Sequence, residues 1–139
     1  VPTNFQGRAA QTGRPFFAWV FYMPSITLYH NPRCSKSRAA LALLEARDYE
    51  PVIRRYLEQP LSAAELSELL TCLGLSARQV LRTGEAVYRK LNLADESLAE
   101  EQLIEALVQH PILLERPILR VGNKAVIGRP PERVMELLD

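Results

Sequence analysis

Cysteine is scarce in this chain, with only Cys34 and Cys72 among 139 residues. The two are far apart and match no zinc-ligand spacing, and a chain of this length buries enough surface to fold without a disulfide staple. A reducing, cytoplasmic setting is expected, with no metal and no bound cofactor. Charge of one sign is lacking too, since 17 Lys and Arg face 16 Asp and Glu. No global field draws nucleic acid or an anionic membrane surface, so any anion site has to be local. Internal repeats, low-complexity stretches and flexible linkers are missing as well.

No run is long enough to span a bilayer. The apolar stretch from Pro15 to Met23 falls well short of the roughly 20 residues a spanning helix needs. Arg8 and Arg14 precede it, but no small-residue A-x-A site follows before the first strand, so a signal peptide is not expected. Residues 1–24 read as an N-terminal arm and residues 25–139 as one domain. Met23 stands just ahead of the first clear strand, so residues 1–22 are either the product of an upstream start site or an arm. Mass spectrometry of the native N-terminus separates the two.

What is present has a clear order. Ile26-Thr27-Leu28-Tyr29 favours a strand, and the Asn31-Pro32 step after it marks a turn. Ser35 to Arg47 has helical spacing, with Leu41 and Leu44 on one face, and Pro51 to Leu57 reads as a second strand. This is a βαβ unit, whose strands should run parallel with a right-handed crossover. From about Leu61 to His110 the chain is helical and well punctuated. Ser62 with Glu65 forms a capping box inside a Leu61/Leu66 staple, Gly74 is a natural stop, and Ser76 with Gln79 repeats the signature inside Leu75/Val80. A short helix near Glu85–Leu91 and a longer one from about Ser97 to Gln109 follow, until Pro111 ends the segment. Ile118–Val121 and Lys124–Ile127 around Gly122-Asn123 predict a hairpin, and Val134, Leu137 and Leu138 a final helix begun by prolines. The expected fold is α/β, a four-stranded mixed sheet with a helical insert between its βαβ and ββα halves.

Cys34 carries the chemistry in this reading. It stands where a loop enters a helix, and a helix N-terminus favours the thiolate, the form that reacts. His30, Arg33 and Lys36 are close in sequence, and cations beside the sulfur would act in the same direction. The plain alternative is an inert small hydrophobe. Ser37 occupies the place of a resolving cysteine, so oxidation at Cys34 has to be passed to an external thiol, or Cys34 forms an adduct with a substrate other than a disulfide. Cys72, among Leu69, Leu70 and Leu73, reads as a core thiol. Arg82, Arg116 and Arg129 stand at element junctions, and guanidinium forks match tetrahedral oxyanions. Each alone is an ordinary surface arginine; spacing does not show that they converge. Pro117, opening a strand after Arg116, is a candidate for a cis peptide bond.

The segments His30-Asn31-Pro32-Arg33-Cys34-Ser35-Lys36-Ser37-Arg38, Tyr56-Leu57-Glu58-Gln59-Pro60, Leu81-Arg82, Leu91-Asn92-Leu93-Ala94, His110 to Ile118 and Gly128-Arg129-Pro130 carry a resemblance in order and spacing. From about Ser25 to Leu138 the chain resembles the glutaredoxin-dependent arsenate reductases, in their short bacterial form. The resemblance implies a thioredoxin-like fold. It implies that Cys34 attacks arsenate, that water leaves, and that glutathione joins an arsenic–thiol adduct which glutaredoxin helps reduce to release arsenite. It also implies that Arg82, Arg116 and Arg129 bind the oxyanion, that His30 helps keep the thiol ionised, and that Pro117 is the family's cis-proline. Arg33 and Lys36 replace small or neutral residues of the best-known members, and the arm has no counterpart there.

Two other readings compete. One is a monothiol glutaredoxin-like protein that acts on glutathione mixed disulfides, which explains Cys34 and Ser37 but leaves the arginines idle. The other is a redox-linked adaptor that binds RNA polymerase. A regulator family with this fold resembles the chain in its His-Pro to Arg-Pro region, but commonly carries a Cys-x-x-Cys switch that Ser37 removes.

Overall fold

The computed structural model describes residues 25–138, so the expectations for the N-terminal arm lie outside the described residues. Strand β1 is Ile26–Tyr29, helix α1 Ser35–Ala46 and strand β2 Val52–Arg54. Helix α2 is Ala63–Leu73, followed by a 3₁₀ turn at Ala77–Val80, helix α3 at Ala86–Lys90 and helix α4 at Glu100–Gln109. A second 3₁₀ turn, Pro111–Leu113, leads to strands β3 Ile118–Val121 and β4 Lys124–Ile127, and the chain closes with a 3₁₀ segment at Pro131–Leu137. The sheet order is β2-β1-β3-β4, with β1 and β2 parallel and the β1–β3 and β3–β4 pairs antiparallel. This is the mixed sheet expected, a thioredoxin-like arrangement interrupted by helices.

Strand alternation divides the core into two layers. Leu28 and Leu119 pair across β1 and β3 and point to one face, where Ala40, Leu44, Val126, Val134 and Met135 cover them. The neighbouring pair, Tyr29 and Ile118, points to the other face and packs with Tyr56, Leu66, Leu69, Leu103, Leu107 and Leu113. Helix α1 and the closing 3₁₀ segment therefore form one outer layer, and the helical insert forms the other.

Local signals hold where the contacts that decide them are local. Glu65 N–H donates to Ser62 Oγ at 3.1 Å, and Ser62 N–H donates to Glu65 Oε1 at 2.9 Å, with Leu61 and Leu66 buried as the staple. Gly74 ends α2 at φ +69°, a left-handed value glycine reaches without a Cβ clash, and Leu75 N–H bonds back to the Leu70 carbonyl at 3.2 Å. Helix α1 and both hairpin strands match their expected spans to within a residue.

Other boundaries differ. β2 stops at Arg54 instead of Leu57, because the chain turns there: Glu58 and Gln59 N–H groups donate to the Arg55 carbonyl at 3.0 and 2.8 Å. Helix α4 begins at Glu100 and not near Ser97, since Ser97 is spent on an Asx turn with Asp95 while Gln102 Oε1 accepts from Ala99 N–H at 2.7 Å. The final helix is 3₁₀. Its tandem prolines offer no N–H, and Pro131, Val134 and Leu137 recur every third residue, in line at three residues per turn. Cys72 is half-buried, not part of the core, for it lies off the α2 face that carries Leu66, Leu69 and Leu70.

Candidate active site

Cys34 is the residue just before α1, with extended backbone angles. The loop that delivers it is locked by its own polar groups. Cys34 N–H donates to the Asn31 carbonyl at 3.0 Å, Arg33 N–H to Asn31 Oδ1 at 3.0 Å, and Arg38 N–H to the Cys34 carbonyl at 3.0 Å. Ser37 is fully buried beneath the sulfur loop, its Oγ accepting from Asn31 N–H at 3.0 Å and lying 2.7 Å from His30 Nδ1.

The environment of Cys34 lowers its pKa. Partial burial pushes the thiol pKa up, but hydrogen bonding from the Ser37 backbone, the Arg116 side chain and the Lys36 backbone, together with the Arg116 charge, lowers it. The net result favours thiolate, through first-turn amides and one guanidinium. Arg33 and Lys36, expected as neighbouring cations, are exposed, and Lys36 contributes through its backbone alone. His30 lies buried beside the same loop. Its pKa is lowered by burial and by the charges of Arg55 and Arg38, so the ring is neutral at neutral pH. Ser37 Oγ accepts from Asn31 N–H and shares a 2.7 Å hydrogen bond with Nδ1 of the neutral ring. His30 is in this way a support for Ser37 rather than a cation beside the sulfur.

The three arginines do meet, although only Arg116 acts on the sulfur directly. Arg82 donates from Nε to Glu85 Oε2 at 3.2 Å and from Nη1 to Glu115 Oε1 at 3.1 Å. Arg116 Nη1 lies 3.9 Å from Glu85 Oε2, and Arg129 Nε lies 3.9 Å from Glu115 Oε1. Arg129 Nη1 donates to the Arg116 carbonyl at 3.0 Å. Two carboxylates thus hold three guanidiniums in one network and leave one positive charge in excess. Arg82 is brought in because its own N–H donates to the Leu113 carbonyl at 2.8 Å, next to the Leu81–Leu114 bridge.

Arg116–Pro117 is a cis peptide bond, and so is Arg129–Pro130. Gly128 holds the two segments together: its N–H donates to the Pro117 carbonyl at 2.8 Å, and a Cβ there would stand 3.0 Å from both Pro117 Cγ and Val134 Cγ1. Sequence reasoning missed Glu85, Glu115 and Tyr56 as members of this site. Glu85 three residues after Arg82 and Glu115 beside Arg116 were the available signals. Among the described residues no group of three or more His, Cys, Asp or Glu could hold a metal ion, and no helix is long and apolar enough to cross a membrane.

A reactive thiol at the head of the first helix of a thioredoxin-like sheet, facing a guanidinium network, defines a thiol protein with a site for an anion. Comparison with known proteins is consistent with that class. The sequence profile of the ArsC family matches residues 29–137, and the chain belongs to this family. The Escherichia coli K12 protein YfgD, described as uncharacterized, is 54% identical over 114 residues, 81% of this chain and 96% of that one. A Haemophilus influenzae protein named arsenate reductase is 46% identical over 115 residues, 82% of this chain and 99% of its own. The solved structure of an arsenate reductase from Vibrio cholerae superposes with a TM-score of 0.79 at 45% identity, covering 82% of this chain and 98% of that one.

Proposed function

We propose that the protein reduces arsenate to arsenite with Cys34 as nucleophile, glutathione as co-substrate and glutaredoxin as the partner that completes the cycle. The observation that carries this reading is the Arg116 guanidinium, whose buried Nε and Nη1 make no hydrogen bond and whose hydrogen bonding and charge lower the Cys34 pKa. Attack of a thiolate on an oxyanion needs fixed positive charge at the point of approach, supplied without solvent reorganisation. In the proposed sequence Cys34 Sγ bonds to arsenic(V), and one arsenate oxygen takes up protons and leaves as water. A glutathione thiol then displaces a second oxygen. Reduction of arsenic(V) to arsenic(III) takes two electrons, which come from two thiols joined as a disulfide. Ser37 stands where an internal resolving thiol would be, so glutaredoxin has to take up that disulfide. This chemistry belongs in the cytoplasm, where glutathione is kept reduced.

The test is arsenite production by purified protein with glutathione and glutaredoxin. Turnover should vanish in Cys34→Ser and on omission of either donor. No arsenite from wild type, with Cys34 shown to be reduced, removes the proposal.

A second reading is favoured by one observation. Glu85 and Glu115 offset most of the arginine charge, which suits a substrate of low net charge such as a glutathione mixed disulfide. Turnover of a glutathionylated peptide in preference to arsenate would select this monothiol glutaredoxin-like activity.

A further inference from the structure

Among the described residues, the buried side-chain polar atoms without a hydrogen-bond partner are Tyr56 Oη and the Nε and Nη1 of Arg116. They belong to one place. Tyr29 pairs with both Arg54 and Ile118, and His30 N–H donates to the Arg54 carbonyl at 2.9 Å, so the segments that carry Tyr56, Cys34 and Arg116 meet at one end of the sheet, and apart from burial Arg116, Cys34, Arg82 and Glu115 act on the Tyr56 hydroxyl. A buried hydroxyl without a hydrogen bond keeps its desolvation penalty uncompensated, and phenylalanine would fill the same space without that cost. Orphaned donors that converge beside a nucleophile imply an acceptor that arrives from outside.

We infer that Tyr56 is a further contact for the bound oxyanion, its hydroxyl donating to a substrate oxygen alongside the unpaired N–H groups of Arg116. This rests on the oxyanion reading above. Burial pushes the Tyr56 pKa up to about 12, so the hydroxyl keeps its proton and adds no negative charge where an anion must bind.

The turn that carries Tyr56 is fixed before any ligand arrives. Arg54 donates from Nε to the Gln59 carbonyl at 2.8 Å, from Nη2 to the Pro60 carbonyl at 2.9 Å, and from Nη1 to Glu65 Oε2 at 3.0 Å. The ring itself is fully buried in the core layer of the insert. A donor held this way loses little freedom on binding, which is the condition under which one hydrogen bond to a charged group counts most.

The test is Tyr56→Phe in the full chain, read in three ways. Calorimetric titration with sodium arsenate should show about tenfold weaker binding than wild type. The pH profile of Cys34 alkylation by iodoacetamide should not move, and the melting temperature should stay the same or rise. Unchanged arsenate affinity overturns the inference. So does a shifted alkylation profile with affinity unchanged, which would give the hydroxyl to the sulfur, or a lower melting temperature with affinity unchanged, which would make it structural. If wild type itself binds no arsenate, the oxyanion reading has failed, and the Tyr56 inference falls with it rather than on its own.

Discussion

Replacing Arg116 with alanine should separate two roles that meet in one side chain. The guanidinium lowers the thiol pKa through hydrogen bonding and charge, while its Nε and Nη1 make no hydrogen bond, Nη1 lying 3.9 Å from Glu85 Oε2. A hydrogen bond to a charged group contributes about 1.5 kcal/mol at the low end, the appropriate end for a sulfur that is partly exposed. Arg116→Ala should then cut the thiolate fraction at neutral pH by about tenfold. Alkylation rate against pH should move to higher pH, and the two proteins should converge where both thiols are ionised. Arsenate loses more, because the two unpaired donors and the charge all face it. Two charge-assisted bonds make about 3 kcal/mol, so binding should weaken roughly a hundredfold or more. Stability carries its own sign. The native thiol pKa is lowered, so its contribution is complete above the ordinary thiol value of 9.0 and is lost as pH falls through the native one. Equal, small effects on alkylation and on arsenate binding would refute the reasoning.

Other perturbations follow from the same contacts. Glu115→Gln removes a carboxylate that faces both Arg82 and Arg129, so arsenate affinity measured by calorimetry should rise by about fivefold at low salt; weaker binding would mean that Glu115 matters more for holding Arg82 in place. Gly128→Ala places a methyl group 3.0 Å from Pro117 Cγ and Val134 Cγ1, which should cost about 1–3 kcal/mol in urea unfolding. The Arg54 side chain, ahead of the Ser62 N–H, holds the Glu65 pKa down to about 2 from 4.5. Its contribution is present above 4.5 and lost as pH falls towards 2, so Glu65→Gln should flatten the acid side of the stability profile, by an amount that shrinks with added salt.

The fold was legible where neighbours in sequence decide it. Ser62, Glu65 and Gly74 act within a turn of their own helix, and Gly122-Asn123 sets the hairpin register, so these elements match. The misses have distant causes. Nothing near Arg54 in sequence shows that its guanidinium reaches Glu65 and braces the turn that ends β2, and nothing in the final apolar pattern distinguishes a 3.6-residue period from a 3.0-residue one over so few residues. The site divides along the same line. Cys34 is visible from its own loop, whereas Tyr56 looks like one more strand residue until the turn after Arg54 directs it into the core. The neutral state of His30 has a related cause: burial first, then the charges of Arg55 and Arg38, lower its pKa, and Arg55 directly follows the strand β2 that pairs with β1.

The carboxylates explain how such a site exists before its substrate arrives. Three guanidiniums gathered beside a sheet repel one another and lose solvation, a cost met only if counter-charges accompany them. Glu85 and Glu115 supply these, and they do so unevenly. Arg82 is paired with both at hydrogen-bond distance, while Arg116 and Arg129 are each 3.9 Å from a single one. Arg82 is therefore spent largely on the framework. Among the described residues, the buried donors without a hydrogen bond are concentrated on Arg116, the arginine that lowers the Cys34 pKa, and on the Tyr56 hydroxyl, on which Arg116 and Cys34 also act. A site that only needed positive charge could have left any of the three arginines bare. One that keeps its free donors beside the nucleophile is arranged for a ligand whose oxygens and whose reacting atom arrive together.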